Sequence, residues 1–198
     1  MKQHKRLPLA LLLVFALCIQ ILSFTSAAAA LADPEPVFSA SDMTFSSGTD
    51  AVALPQSAVT QLSGLSSGTI IVDFTPTAMS TANCLFSLSN SSVTDAYFNL
   101  YIDNRGFLGL EVRNHGETRY VNLQGPAEVT RNTRHIMALS ADPQEGYKFY
   151  FDGDMVFQMP VALYELWEYD YRFMSTVNSA DVGYMGATYR NGSFGYPY

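Results

Sequence analysis

The chain has 198 residues, with 18 acidic side chains against 11 basic ones and a formal charge of −7 at pH 7. That balance argues against nucleic acid and anionic membrane surfaces as partners, because both require basic surface. Its two cysteines fall at positions 18 and 84, a usage that offers no disulfide framework.

Residues 1–32 divide into a basic opening (MKQHKR), an apolar stretch (LPLALLLVFALCIQILSF) and a small-residue tail ending Ala30-Leu31-Ala32. That is the layout of a cleaved secretory signal peptide. Leu7–Phe24 is nearly long enough to act as an uncleaved anchor, but Pro8, Gln20 and the alanine tail favour cleavage. Cleavage would take three of the 11 basic residues and none of the 18 acids, leaving 166 residues with charge −10. The expected product is a single exported domain, 33–198, secreted or at the cell surface, with no membrane insertion after cleavage. Cys84 would be its only cysteine, and its setting in CLFSLS reads as a small buried side chain.

Beyond DPEP (33–36) no long stretch has helical periodicity. Short runs rich in Val, Ile, Phe, Tyr and Thr alternate with Gly, Asn, Asp and Ser. Strands are expected near Asp42–Phe45, Ala51–Leu54, Thr69–Thr75, Cys84–Ser89, Ala96–Asp103, Phe107–Asn114, Arg119–Leu123, Arg134–Ala141, Tyr147–Asp152, Met155–Gln158 and Asp181–Ala187. Asp152-Gly153 is a type I′ hairpin signal, and Asp103-Asn104-Arg105-Gly106 makes a slightly longer turn. Ala162–Arg172 is either a short helical turn or an aromatic loop. Many antiparallel strands without intervening helices imply an all-β sandwich or jelly roll.

The hairpin Ala96–Asn114 carries the chemistry. A strand period of two puts Ala96, Phe98, Leu100 and Ile102 on the core side with Leu108, Leu110 and Val112. Tyr97, Asn99 and Tyr101 then share the other face with Gly109, Glu111 and Arg113. The turn length predicts Arg113 opposite Tyr97, Glu111 opposite Asn99, and Gly109 opposite Tyr101. Such a face is either an ordinary solvated surface or a site for a carbohydrate bearing a carboxylate and an amide. In the second case the guanidinium pairs with the carboxylate, the Glu accepts the amide N–H, and Tyr covers apolar sugar faces.

LFSLSNSS (85–92), YFNLYIDNRGFLGLEVRN (97–114), YKFYFDGDMV (147–156) and VGYMGATYRNGSFGY (182–196) together resemble the sialic-acid-binding lectin domain of bacterial sialidases, carbohydrate-binding module family 40. The resemblance covers nearly all of Phe38–Tyr196. It implies a concanavalin/laminin-G-like jelly roll standing before a catalytic sialidase propeller, with sialylated glycans of mucin or cell surfaces as partners. It also implies two arginines clamping the sialic acid carboxylate, here Arg113 and Arg190, and a glutamate for the N-acetyl amide, here Glu111. Tyr101 and Tyr196 match the aromatic contacts, while Tyr97, Asn99, Ser89 and Asn90 are expected at the rim. Relative to that pattern the final strand and the catalytic domain are expected to lie beyond Tyr198.

Nothing in the sequence speaks for catalysis, a cofactor or a metal. No S-x-D-x-G-x-T-W box occurs. Glu168-Tyr169-Asp170 begins like the E-x-D-x-x-E signature of jelly-roll glucanases, but Phe173 replaces its last carboxylate. His115 and His135 lack metal-ligand spacing, and Asp152 and Asp154 are explained by their hairpin turn. The reading is a non-catalytic sialic-acid-binding module. A laminin-G-like adhesion sandwich with a protein partner is the alternative.

Overall fold

The computed structural model describes residues 35–45, 50–79, 82–116, 120–126, 128–163 and 172–195. The leader expected over 1–32 and most of the segment 162–172 lie outside the described residues. No described helix is long and apolar enough to cross a membrane. The strands are β1 (Val52–Ala53), β2 (Gly68–Phe74), β3 (Ala82–Ser89), β4 (Tyr97–Asp103), β5 (Leu108–Arg113), β6 (Tyr120–Gly125), β7 (His135–Asp142), β8 (Gly146–Phe151), β9 (Asp154–Met159), β10 (Val182–Met185), β11 (Thr188–Arg190) and β12 (Ser193–Gly195). They form a six-stranded sheet, β1-β10-β3-β4-β5-β6, a four-stranded sheet, β2-β7-β8-β9, and a two-stranded hairpin, β11-β12. Every pairing is antiparallel.

The two larger sheets bury one apolar cluster between them. Phe98, Leu100, Leu108, Leu110, Val112 and Leu123 come from the six-stranded sheet, and Met137, Leu139, Tyr147 and Phe149 from the four-stranded one. Each such side chain withdrawn from water contributes about 1.5–3 kcal/mol, so the core can hold this shape while its one described cysteine, Cys84, stays free. In β2 the same alternation places Ile70, Val72 and Phe74 inward and leaves Ile71 exposed. Phe173, in a 3₁₀ turn at Phe173–Val177, closes one end of the core by packing edge-on against Phe98 with ring centroids 5.5 Å apart.

The turns follow their residue chemistry. Asp152 and Gly153 both have positive φ, 50° and 95°, as a type I′ turn requires. The Asp152 carboxylate accepts from the Ile136 backbone N–H at 2.9 Å and meets His135 Nδ1 at 2.8 Å, so it is committed to the fold. Together with the Thr130 N–H, which donates to His135 Nε2 at 3.1 Å, these contacts make His135 structural.

Three expectations need correction. Asp42–Phe45 forms no strand. A helix, α1 (Gln56–Leu62), follows Pro55 where no element was expected; it buries Ala58, Val59 and Leu62 on one side, and two turns are too short for a readable helical period. The single strand expected over Asp181–Ala187 ends at Met185, and the chain turns at Gly186 (φ 85°) into the separate β11–β12 hairpin.

Candidate functional site

The β4–β5 register is the one expected from the turn: Tyr97 opposite Arg113, Asn99 opposite Glu111, Tyr101 opposite Gly109. Asp103 sets it. Its Oδ1 accepts from the backbone N–H of Arg105 (2.8 Å) and of Phe107 (3.0 Å), and its Oδ2 takes Arg105 Nε (2.8 Å) and Nη2 (2.6 Å). Burial pushes the Asp103 carboxyl up, but these donors outweigh it and hold the group below its ordinary range.

The outward face of β4 is not a solvated surface. Tyr97, Asn99 and Tyr101 are only 3%, 0% and 9% exposed. The cover is the β11–β12 hairpin, which lies across the outer side of β3 and β4 as a third layer. Small polar side chains tie it down. Ser87 Oγ donates to the Ala187 carbonyl at 2.8 Å, Ser89 Oγ to the Tyr189 carbonyl at 2.6 Å, and Thr188 Oγ1 to Asn99 Oδ1 at 3.0 Å. Ser89 and Asn99, expected at the rim, are therefore fully enclosed and hold the strand that carries Arg190. Asn90 sits in the following turn, where its Nδ2 donates to the Ser179 carbonyl at 2.9 Å and its Oδ1 accepts from the Ser92 N–H at 2.9 Å.

Because Thr188 faces the sheet, the period of two turns Arg190 toward it as well. The Arg190 guanidinium stands 4.5 Å above the centre of the Tyr97 ring, within cation–π range. Tyr97 Oη donates to Glu111 Oε1 at 2.6 Å, and Arg113 Nε donates to the same oxygen at 3.4 Å. Both of these Glu111 bonds run through Oε1. Burial works against the Arg113 charge, but Tyr97 and Glu111 outweigh it and raise its pKa above the ordinary arginine value. Arg113 and Arg190, remote in sequence, thus converge on one tyrosine beside one glutamate. Tyr101 lies flat over Gly109: a Cβ there would fall 2.2 Å from Tyr101 Cζ. The Tyr101 hydroxyl receives Gln124 Nε2 at 3.5 Å, and Gln124 Oε1 receives Arg105 Nη2 at 3.0 Å. Tyr196 lies outside the described residues.

Sequence reasoning missed four parts of this arrangement: Ser87, Thr188, the aromatic trio Tyr184–Tyr189–Phe194, and the contact between His115 Nδ1 and Asp95 Oδ1 at 2.5 Å. The trio braces the hairpin from its outer side, with the Tyr189 and Phe194 rings 4.9 Å apart and Tyr184 and Phe194 5.1 Å apart. Asn191-Gly192, with φ of 44° and 76°, was the available signal for that hairpin, since an Asn-Gly pair between short runs carrying aromatic residues marks a type I′ turn. Cys84 is buried, with burial pushing its thiol up to about 12, and it serves packing.

Comparison with known proteins bears on this geometry. Residues 44–198 match the family described as the sialidase N-terminal domain. The carbohydrate-binding module of the Ruminococcus gnavus IT-sialidase, solved bound to α2,3-sialyllactose, superposes with a TM-score of 0.66 at 26% identity over 75% of this chain and 78% of that one. The NanB sialidase of Streptococcus pneumoniae shares the fold with a TM-score of 0.67 at 21% identity, over 82% of this chain and 24% of that one. Anhydrosialidase from Macrobdella decora is 27% identical over 142 residues, 68% of this chain but only 18% of that enzyme's length.

Proposed function

The chain belongs to the sialidase N-terminal domain family, and on that footing we propose that it is an exported, non-catalytic module that binds terminal sialic acid. Arg113 and Arg190 would clamp the sugar carboxylate between them, each guanidinium presenting paired N–H donors. Glu111, held through Oε1, would accept the N-acetyl amide N–H on Oε2. Tyr101 would offer its ring to the apolar side of the sugar, with Tyr196 as a second aromatic contact. One observation carries this reading: the two arginines meet at Tyr97 beside Glu111 although the chain brings them there on strands of different layers.

A protein of charge −7 repels an anionic ligand at long range, so local cations must supply the attraction. Charge-assisted contacts to one carboxylate contribute about 1.5–3 kcal/mol each before the costs of association. For a single terminal sugar that corresponds to dissociation constants on the order of micromolar to millimolar. In its parent protein the module would stand before a catalytic sialidase domain and keep sialylated mucin or cell-surface glycans near it, raising the effective substrate concentration.

The test is calorimetric titration of an α-sialoside into the wild-type protein, Arg113→Ala and Arg190→Ala. Both variants should lose measurable binding while their melting curves stay close to wild type. Binding retained by both would overturn the assignment.

A further inference from the structure

The described residues border the site on three sides. Over β3 and β4 stands the β11–β12 hairpin, which brings Arg190 onto Tyr97. At one end Tyr101 lies across β5 over Gly109 and is joined to Gln124, which Arg105 and Asp103 hold in turn. At the other end Asp95, just before β4, meets His115, just after β5. The fourth side is β6, the edge strand of the six-stranded sheet.

The residue of β6 directly opposite Glu111 is Asn122. Directly paired residues share a face, and Leu123 beside it is buried in the core, so Asn122 lies on the face of Glu111 and Arg113. It is exposed. In an α-linked sialic acid the glycosidic oxygen and the carboxylate are attached to the same carbon. With the carboxylate held between Arg113 and Arg190, the glycosidic oxygen therefore lies two bonds from the carboxylate carbon, and the next sugar begins at the third. Among the described residues the hairpin stands on the Arg190 side, which leaves β5 and β6 as the open direction along the sheet.

We propose that Asn122 is the contact for the sugar next to the sialic acid, its carboxamide hydrogen-bonding hydroxyl groups of a neutral hexose. This rests on the sialic acid reading above. A carboxamide both donates and accepts, as a hydroxyl does, and so suits an uncharged sugar. Arg105, which reaches this face through Gln124, is already answered by Asp103, with Nη2 and Oδ2 2.6 Å apart.

The experiment compares wild type, Asn122→Ala and Arg113→Ala by titration with two probes: the methyl α-glycoside of N-acetylneuraminic acid, and sialyllactose. Wild type should bind sialyllactose about three- to tenfold more tightly than the methyl glycoside, the worth of one or two neutral hydrogen bonds. Asn122→Ala should erase that gap, leave methyl glycoside binding within about twofold, and melt like wild type. Arg113→Ala should lose both ligands. An unchanged affinity ratio in Asn122→Ala, or a wild type with no preference for the trisaccharide, would overturn the role of Asn122 while leaving sialic acid binding intact. A wild type that binds neither probe would overturn both readings.

Discussion

Thr188→Val tests whether the Arg190 strand is held to the sheet by buried polar contacts. Thr188 is fully buried, and its hydroxyl donates to Asn99 Oδ1 at 3.0 Å, with Cys84 Sγ at 3.6 Å. Asn99 is fully buried too, and its Nδ2 has no hydrogen-bond partner within the described fold. Valine keeps the shape of threonine but removes the only donor to Asn99 Oδ1 among the described residues, leaving the carboxamide without a partner there. A buried polar group left this way costs about 1–3 kcal/mol. For a chain of this size each kcal/mol lowers Tm by about 2–4 °C, so the expected drop is roughly 2–12 °C. Arg190 lies two residues on, so sialoside affinity should fall as well. The double variant Asn99→Leu/Thr188→Val removes the orphaned amide and should recover most of the lost Tm, because replacing both partners by apolar groups is nearly neutral. Thermal unfolding of the singles and the double forms the cycle. A Thr188→Val protein with unchanged Tm, or a double no better than the sum of the singles, would refute the reasoning.

Gly109→Ala should push the Tyr101 ring off the sheet, since the new Cβ would stand 2.2 Å from Cζ. Sialoside affinity should then drop about two- to tenfold with a stability loss of about 1–3 kcal/mol, measured by titration and urea unfolding. Asp103→Asn should destabilise by about 1–3 kcal/mol at pH 7. The folded pKa of Asp103 lies below its unfolded value, so its stabilisation is present above about pH 4 and is lost as pH falls through the folded value. Unfolding curves of wild type and variant should therefore converge in acid, and a gap that stayed constant with pH would contradict this. Cys84, buried with its thiol pushed up to about 12, should resist thiol reagents in the native state and react fully in denaturant.

Local chemistry made much of this protein legible in its sequence. Strand period, turn length and the placement of glycine determined the β4–β5 pairing residue by residue, because a hairpin's register depends on neighbours a few positions apart. The Asp-Gly turn at 152–153 was equally plain. Glu111 and Arg113 could be set on one face with Tyr97 by counting alone, whereas Arg190 entered through likeness to a known family. The helix α1 escaped notice because seven residues offer too few turns for a period to emerge.

What only the tertiary structure decided was which side of that face meets water. Ser87, Ser89 and Asn99 have the composition of an exposed strand surface, and nothing local distinguishes serines that face solvent from serines that face another strand. The β11–β12 hairpin returns from about a hundred residues downstream to lie on them, with Ser87 bonded to Ala187 and Ser89 to Tyr189 across a sequence separation of 100. That contact converts expected rim residues into anchors and lowers Arg190 onto Tyr97. Its energy lies in pairings between distant segments, so no window of sequence contains it.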